Sequence, residues 1–119
     1  MGYVVLYVDD SEACARFWTD QVGMKVQMQS RALDFSIFRV GFSERDAALE
    51  LVPRELMKEN PDGLDLTTPS ICFYVDDLQE AHKKLSENNV LVTEITNHFD
   101  NENFAFSDNE GRWFAVLQG

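Results

Sequence analysis

Four residues, Tyr7-Val8-Asp9-Asp10, return unchanged 67 positions later as Tyr74-Val75-Asp76-Asp77. A tetrapeptide can recur by chance, but here the flanks recur with it. A β-rich run precedes each copy (Tyr3 to Leu6, Ile71 to Phe73), and a helical pattern of apolar residues follows each. In the first helix Ala13, Cys14, Phe17, Trp18 and Val22 keep a three-to-four spacing; in the second Leu78, Ala81 and Leu85 do the same. The paired aspartates stand where each helix begins. A carboxylate there accepts backbone N–H groups that lack a partner in the first turn, and it lies at the positive end of the helix dipole. That capping role accounts for Asp9, Asp10, Asp76 and Asp77 without assigning them any chemistry. Each helix ends at a residue suited to positive φ, Gly23 in the first half and Asn88 or Asn89 in the second.

Three strand-like segments follow each helix. They are Met24 to Ser30, Leu33 to Val40 and Ala47 to Pro53, then Val90 to Thr96, Asn103 to Ser107 and Arg112 to Leu117. Each half therefore reads β-α-β-β-β. The stretch from Arg54 to Thr68 lies between Pro53 and Pro69 and holds the turn sequence Pro61-Asp62-Gly63, which suits a surface connector with a short helical turn at Glu55 to Glu59. The organisation expected is a single α+β domain spanning residues 1–119, with a first module at 1–53, a connector at 54–68 and a second module at 69–119. A single ferredoxin-like sheet is the second choice, and it has too few strands for these segments.

At 119 residues the chain can bury one real core. Its content of 45% hydrophobic and 26% charged residues places it among globular proteins rather than disordered or fibrous ones. No run approaches the roughly 20 apolar residues of a membrane span. The opening MGYVVLYVDD lacks the basic start of a signal peptide, so a cytoplasmic location is expected. A formal charge of −11 argues against nucleic acid and against anionic membrane surfaces as partners, and serves solubility first. Cys14 and Cys72 have no nearby Cys or His at metal-site spacing, and both read as buried free thiols.

The order of these motifs resembles the glyoxalase/bleomycin-resistance protein/dioxygenase superfamily, also called the vicinal oxygen chelate superfamily. Val4 to Asp10 with Ser11, then Phe17-Trp18 and Val22-Gly23-Met24, is similar to the family's opening strand, its helix with an aromatic pair and the turn that follows. Ile71 to Asp77 is similar to the first strand of the second module. Phe106-Ser107-Asp108-Asn109-Glu110-Gly111-Arg112 is similar to the hairpin before the last strand, with Asn109 where proline is usual. The resemblance covers nearly the whole chain. It implies two βαβββ modules forming an eight-stranded open cleft.

Metal-dependent members of the family bind a divalent ion with one side chain from the first and fourth strands of each module. The ion acts there as a Lewis acid on substrate oxygens. Carried over residue by residue, the first-strand positions fall on Tyr3 and Ser70, and the fourth-strand positions on Glu50 and Ala115. One ligand in four is retained, so the resemblance implies no metal and no other cofactor. His82, beside the apolar seam of the second helix, reads as a packing or surface residue. His98 lies in the polar loop Asn97 to Asn101, which could reach the cleft mouth.

If Glu50 faces the cleft, strand alternation sets Ala48 and Val52 beside it. It likewise sets Tyr3, Val5 and Tyr7 on a neighbouring strand, Ser70, Cys72 and Tyr74 on its counterpart, and Trp113 and Leu117 around Ala115. The expected ligand-binding residues are Tyr3, Tyr7, Glu50, Ser70, Tyr74, Trp113 and Ala115. An acid among aromatic faces suits a planar or cationic molecule, although the same aromatics would serve as core filling.

The resulting expectation is a metal-independent binder of a cationic or aromatic small molecule such as an antibiotic. It would be closest in character to bleomycin-resistance proteins, would have no catalytic residues, and by that resemblance would be a homodimer. The alternatives are a lactoylglutathione lyase-like or dioxygenase-like metalloenzyme with a ligand set that includes Glu50, and a structural or regulatory homologue whose cleft is closed.

Overall fold

A computed structural model describes residues 2–98 and 101–119. The chain divides into two compact units, Met1–Pro69 and Ser70–Gly119.

The first unit holds β1 (Tyr3–Val8), α1 (Ser11–Arg16), β2 (Lys25–Ala32), β3 (Phe35–Gly41) and β4 (Ala48–Pro53). The second holds β5 (Cys72–Val75), α2 (Leu78–Glu87), β6 (Thr96–His98), β7 (Asn101–Ser107) and β8 (Trp113–Gln118). Each unit has one four-stranded sheet, ordered β1-β4-β3-β2 and β5-β8-β7-β6. In both, the first strand runs parallel to the last, and the other pairs are antiparallel. The sequence repeat is thus a repeat of topology. Among the described residues no helix is long and apolar enough to cross a membrane.

Alternation divides each sheet into two faces. In the first unit Leu6, Val8, Phe38, Val40, Leu49 and Leu51 are buried, together with Cys14, Phe17 and Trp18 of the helical segment. The buried Ser11 hydroxyl donates to the carbonyl of Ser36 at 2.6 Å, fastening α1 to β3. In the second unit Phe104, Phe106, Phe114 and Val116 are buried together with Leu78 and Leu85 of α2. The rings of Phe106 and Phe114 lie 5.6 Å apart, and Phe73 joins them. Gln118 holds the start of α2 against the end of β8 by accepting from the N–H of Leu78 and donating to the carbonyl of Asp76.

Helix ends follow the expected chemistry with one refinement. Asp10 and Asp77 are the caps, accepting from Ala13 N at 3.0 Å and Glu80 N at 3.1 Å. Asp9 instead pairs with Arg54, and the Asp76 carbonyl serves Gln118, so only the second aspartate of each pair caps. The first helix ends at Gly23, with φ of 100°, and Asn89 after the second has φ of 65°. Beyond Arg16 the first helix widens into a π-helical turn over Phe17–Val22, where the Thr19 hydroxyl takes the carbonyl of Ala15 at 2.8 Å.

Three expectations are corrected. The segment 90–96 is not a strand, and β6 begins only at Thr96. Thr93 breaks the ladder: its carbonyl faces His82 Nε2 at 2.9 Å, and its hydroxyl accepts from Ala105 N, the place a strand carbonyl would take. A lone bridge from Val92 to Phe106 remains. Leu33 does not start β3 but sits in the two-residue turn between β2 and β3 with φ of 56°, a region closed to regular strands. Cys14 is buried, but Cys72 is exposed, because it lies on the edge strand β5 and on the face away from the phenylalanine cluster.

The connector contains a short 3₁₀ turn at Arg54–Met57 and a hydrogen-bonded turn in which Gly63 N donates to Asn60 O at 3.0 Å. In the hairpin between β7 and β8, the Asp108 carboxylate accepts from the backbone N–H of both Glu110 and Arg112, each at 2.9 Å. Arg112 also reaches Asp108 and Glu110 with its two terminal nitrogens. Burial pulls the Arg112 guanidinium down, but the hydrogen bonds and charges of Glu110 and Asp108 outweigh it and leave the group above the ordinary arginine value. Gly111, with φ of 84°, closes the turn.

Candidate functional site

The face of the first sheet that carries Glu50 is built by strand register. Tyr3 pairs with Ala48, Val5 with Glu50 and Tyr7 with Val52, so these six share one face. Arg39 pairs with Glu50 across the antiparallel β3–β4 ladder, and Met28 pairs with Arg39 across β2–β3. Val5, Glu50, Arg39 and Met28 therefore form one row across all four strands.

Arg39 organises this face. Its Nη2 donates to Glu50 Oε2 at 2.7 Å and its Nε to the same oxygen at 3.2 Å. Its guanidinium carbon lies 4.0 Å from the centroid of the Tyr3 ring, a cation–π distance. Ala48, in register with Tyr3, contributes only a methyl group on β4 and so leaves the guanidinium room to reach the ring. The hydrogen bond to Glu50, opposed in part by desolvation and helped by the charge of Glu50 and the contact with Tyr3, raises the guanidinium above its ordinary value. The Arg39 side chain is 31% exposed and that of Glu50 13%, so the cation is the member of the pair nearer to solvent.

Of the expected binding residues, Tyr3 and Glu50 are brought together by Arg39, and Tyr7 shares their face. The backbone carbonyl of Tyr7 accepts from Arg54. In the second unit Cys72 pairs with Ala115 and Tyr74 with Leu117, placing Tyr74 and Ala115 on one face; alternation adds Trp113. Tyr74 is 73% exposed and Trp113 48%. Ser70 is exposed and precedes β5, so it holds no place on a sheet face. Cys72, which follows Val5 by 67 residues, faces Ala115 as Val5 faces Glu50, so register makes Glu50 and Ala115 equivalent.

His82 packs edge-on against Phe104, with ring centroids 4.9 Å apart. The side chain of His98 and the loop residues 99 and 100 lie outside the described residues. Among the surface depressions of the first unit, one of about 380 Å³ is lined by Ala15, Thr19, Val26, Phe38 and neighbours, and another of about 300 Å³ lies beside Asp9 and Arg54. Neither includes a residue of the Tyr3-Arg39-Glu50 group.

Arg39 is the residue that sequence reasoning missed. Its signal was an arginine between two apolar residues, Phe38-Arg39-Val40, on the strand paired with the one that carries a lone mid-strand acid in Leu49-Glu50-Leu51. Opposite charges at such positions stabilise each other when directly across a ladder.

Two βαβββ units of one topology, with aromatic groups on one face of each sheet and an ion pair among them on the first, define a class of small α+β proteins built on an internal repeat. The profile of the Glyoxalase/Bleomycin resistance protein/Dioxygenase superfamily matches residues 1–116, and the chain belongs to that superfamily. It is 26% identical over 120 residues to the protein YetH of Bacillus subtilis (strain 168), covering 99% of this chain and 97% of YetH. Among solved structures, TnmS3, described as an antibiotic binding protein from Streptomyces sp. CB03234, superposes with a TM-score of 0.79 at 21% identity, covering 98% of this chain and 92% of that one. A lactoylglutathione lyase from Agrobacterium tumefaciens superposes with a TM-score of 0.75 at 19% identity, covering 100% and 92%. At these identities the structural likenesses establish the fold.

The side chains at the family's four ligand positions do not fit a divalent ion. Ala115 has no donor atom, Ser70 stands before its strand, the Tyr3 ring lies against Arg39, and the Glu50 oxygen nearest Arg39 carries two hydrogen bonds from it. Among the described residues no three His, Cys, Asp or Glu side chains gather as a metal centre would need.

Proposed function

We propose that the protein binds a small organic molecule with a planar aromatic part, without a metal ion and without transforming it. The observation that carries this reading is the state of Glu50. The one acid retained at the family's ligand positions is bonded to Arg39, whose guanidinium also covers Tyr3. The two contacts expected of a cationic ligand, a charge pair with Glu50 and a stack on an aromatic ring, are made within the chain. An aromatic ligand uses what remains: the aromatic and aliphatic side chains of an open sheet face, with a few polar groups to orient it. Likeness to a protein described as binding an antibiotic supports the same reading.

A thermal-shift screen of the full chain tests it, because whatever binds only the native state raises its stability. Planar aromatic natural products are expected to raise the midpoint in proportion to the logarithm of their concentration, and zinc, nickel, manganese and iron(II) to leave it unchanged. Calorimetric binding of one of those ions, lost in Glu50→Gln, would favour a metalloenzyme with an unusual ligand set instead. The reading takes the protein as a cytoplasmic homodimer, and a monomer mass by light scattering at micromolar concentration would remove the second part of that description.

A further inference from the structure

We infer that Arg39, rather than Glu50, selects the ligand, and that the class selected is planar aromatic acids: flat ring systems bearing a carboxylate or phenolate oxygen at their edge. This rests on the small-molecule reading above and narrows it.

Three observations lead there. The guanidinium spends Nε and Nη2 on one oxygen of Glu50, which leaves the two N–H groups of Nη1 outside the ion pair. It is also the more exposed partner, so an arriving molecule meets the cation before the acid. Finally, Tyr3 stacks against it, so the planar group is fixed in orientation from one side by a ring and from its edge by a carboxylate. Arginine presents rigid, planar donors that suit oxygen anions and stack on aromatic faces. Holding that fork in place beforehand reduces the ordering cost of binding.

A cationic ligand has no such opening. It would have to displace Arg39 from Glu50 and from Tyr3 together, and the pair it approaches is already neutral. An aromatic acid accepts from Nη1 and lays its ring beside the guanidinium and the neighbouring apolar side chains. The chain's charge of −11 opposes an anion only at long range. At physiological salt that field is screened beyond about 8 Å, whereas a direct hydrogen bond to the guanidinium is not.

The test is calorimetric titration of the full chain with two probes of equal shape and opposite charge, 2-naphthoate and 2-naphthylmethylammonium. Naphthoate is expected to bind about tenfold more tightly or better, as one charge-assisted hydrogen bond allows. Its affinity should hold or rise with added salt. Arg39→Gln is expected to erase the preference, while Glu50→Gln should keep or increase naphthoate binding. Should Arg39→Gln fold poorly because Glu50 loses its partner, the double variant Arg39→Gln/Glu50→Gln removes both charges and is expected to bind the two probes equally.

Preference for the ammonium probe, abolished by Glu50→Gln, would overturn the inference while leaving a small-molecule binder. Equal affinities unaffected by Arg39→Gln would overturn it too. If neither these probes nor any aromatic of the thermal-shift panel binds, the small-molecule reading falls with it.

Discussion

Leu33 is 87% exposed and holds φ of 56° in the turn between β2 and β3. A bulky side chain is disfavoured at positive φ, and glycine is not. Leu33→Gly relieves a left-handed-region penalty of roughly 1–2 kcal/mol against a glycine entropy cost of roughly 0.5–1 kcal/mol, and is therefore expected to stabilise the protein slightly, read as a higher urea midpoint at unchanged m-value. A lower midpoint would mean that Leu33 makes a contact that outweighs its backbone strain. Asp108 lies at the other extreme, its side chain wholly buried against Arg112, which is itself 9% exposed. Asp108→Ala removes the acceptor of two backbone N–H groups and breaks a buried ion pair, and is expected to cost about 3 kcal/mol; a loss below about 1 kcal/mol would show that water replaces it. Single residues were also where the sequence was least legible. Glu50 could be placed on its face by alternation, but a partner directly opposite on a neighbouring strand, eleven residues away in sequence, depends on which strands pair. The role of Arg39 therefore emerged only with the β3–β4 register.

The elements themselves were easier to foresee, because each carried its own periodicity and its own stop signals. The tetrapeptide repeat marked both strand-to-helix junctions, and the hairpin at Asp108 to Arg112 announced itself through Asp and Gly at turn positions. What could not be read was competition from side chains. Thr93 is a good strand residue by propensity, yet its hydroxyl enters the ladder to Ala105 and turns the segment away from strand geometry. The two aspartates at each junction looked interchangeable, and the structure separates them by geometry. Asp10→Ala is expected to cost about 1 kcal/mol of stability through the lost cap. Asp9→Ala, which removes an exposed pair with Arg54, is expected to fall within about 0.5 kcal/mol of the parent. Denaturation curves that ranked the two variants the other way would contradict this division of labour.

Across the whole molecule, 21 acidic residues against 10 basic ones leave an excess of like charge that destabilises the compact state through self-repulsion. Raising sodium chloride from about 10 mM to about 500 mM shortens the screening length from roughly 30 Å to under 5 Å. The melting temperature is expected to rise over that range, and a flat or falling curve would show that attractive pairs such as Arg112 with Asp108 dominate instead. The repeat also settles how the chain is partitioned. In each unit the first strand lies beside the last, so every ladder hydrogen bond of β1 to β4 closes before Arg54, and every one of β5 to β8 opens after the connector. A protease that cuts at the exposed turn from Asn60 to Leu64 would sever one peptide bond and no strand pairing. That makes the turn the natural point at which to divide the gene for fragment complementation, with each fragment carrying a complete sheet.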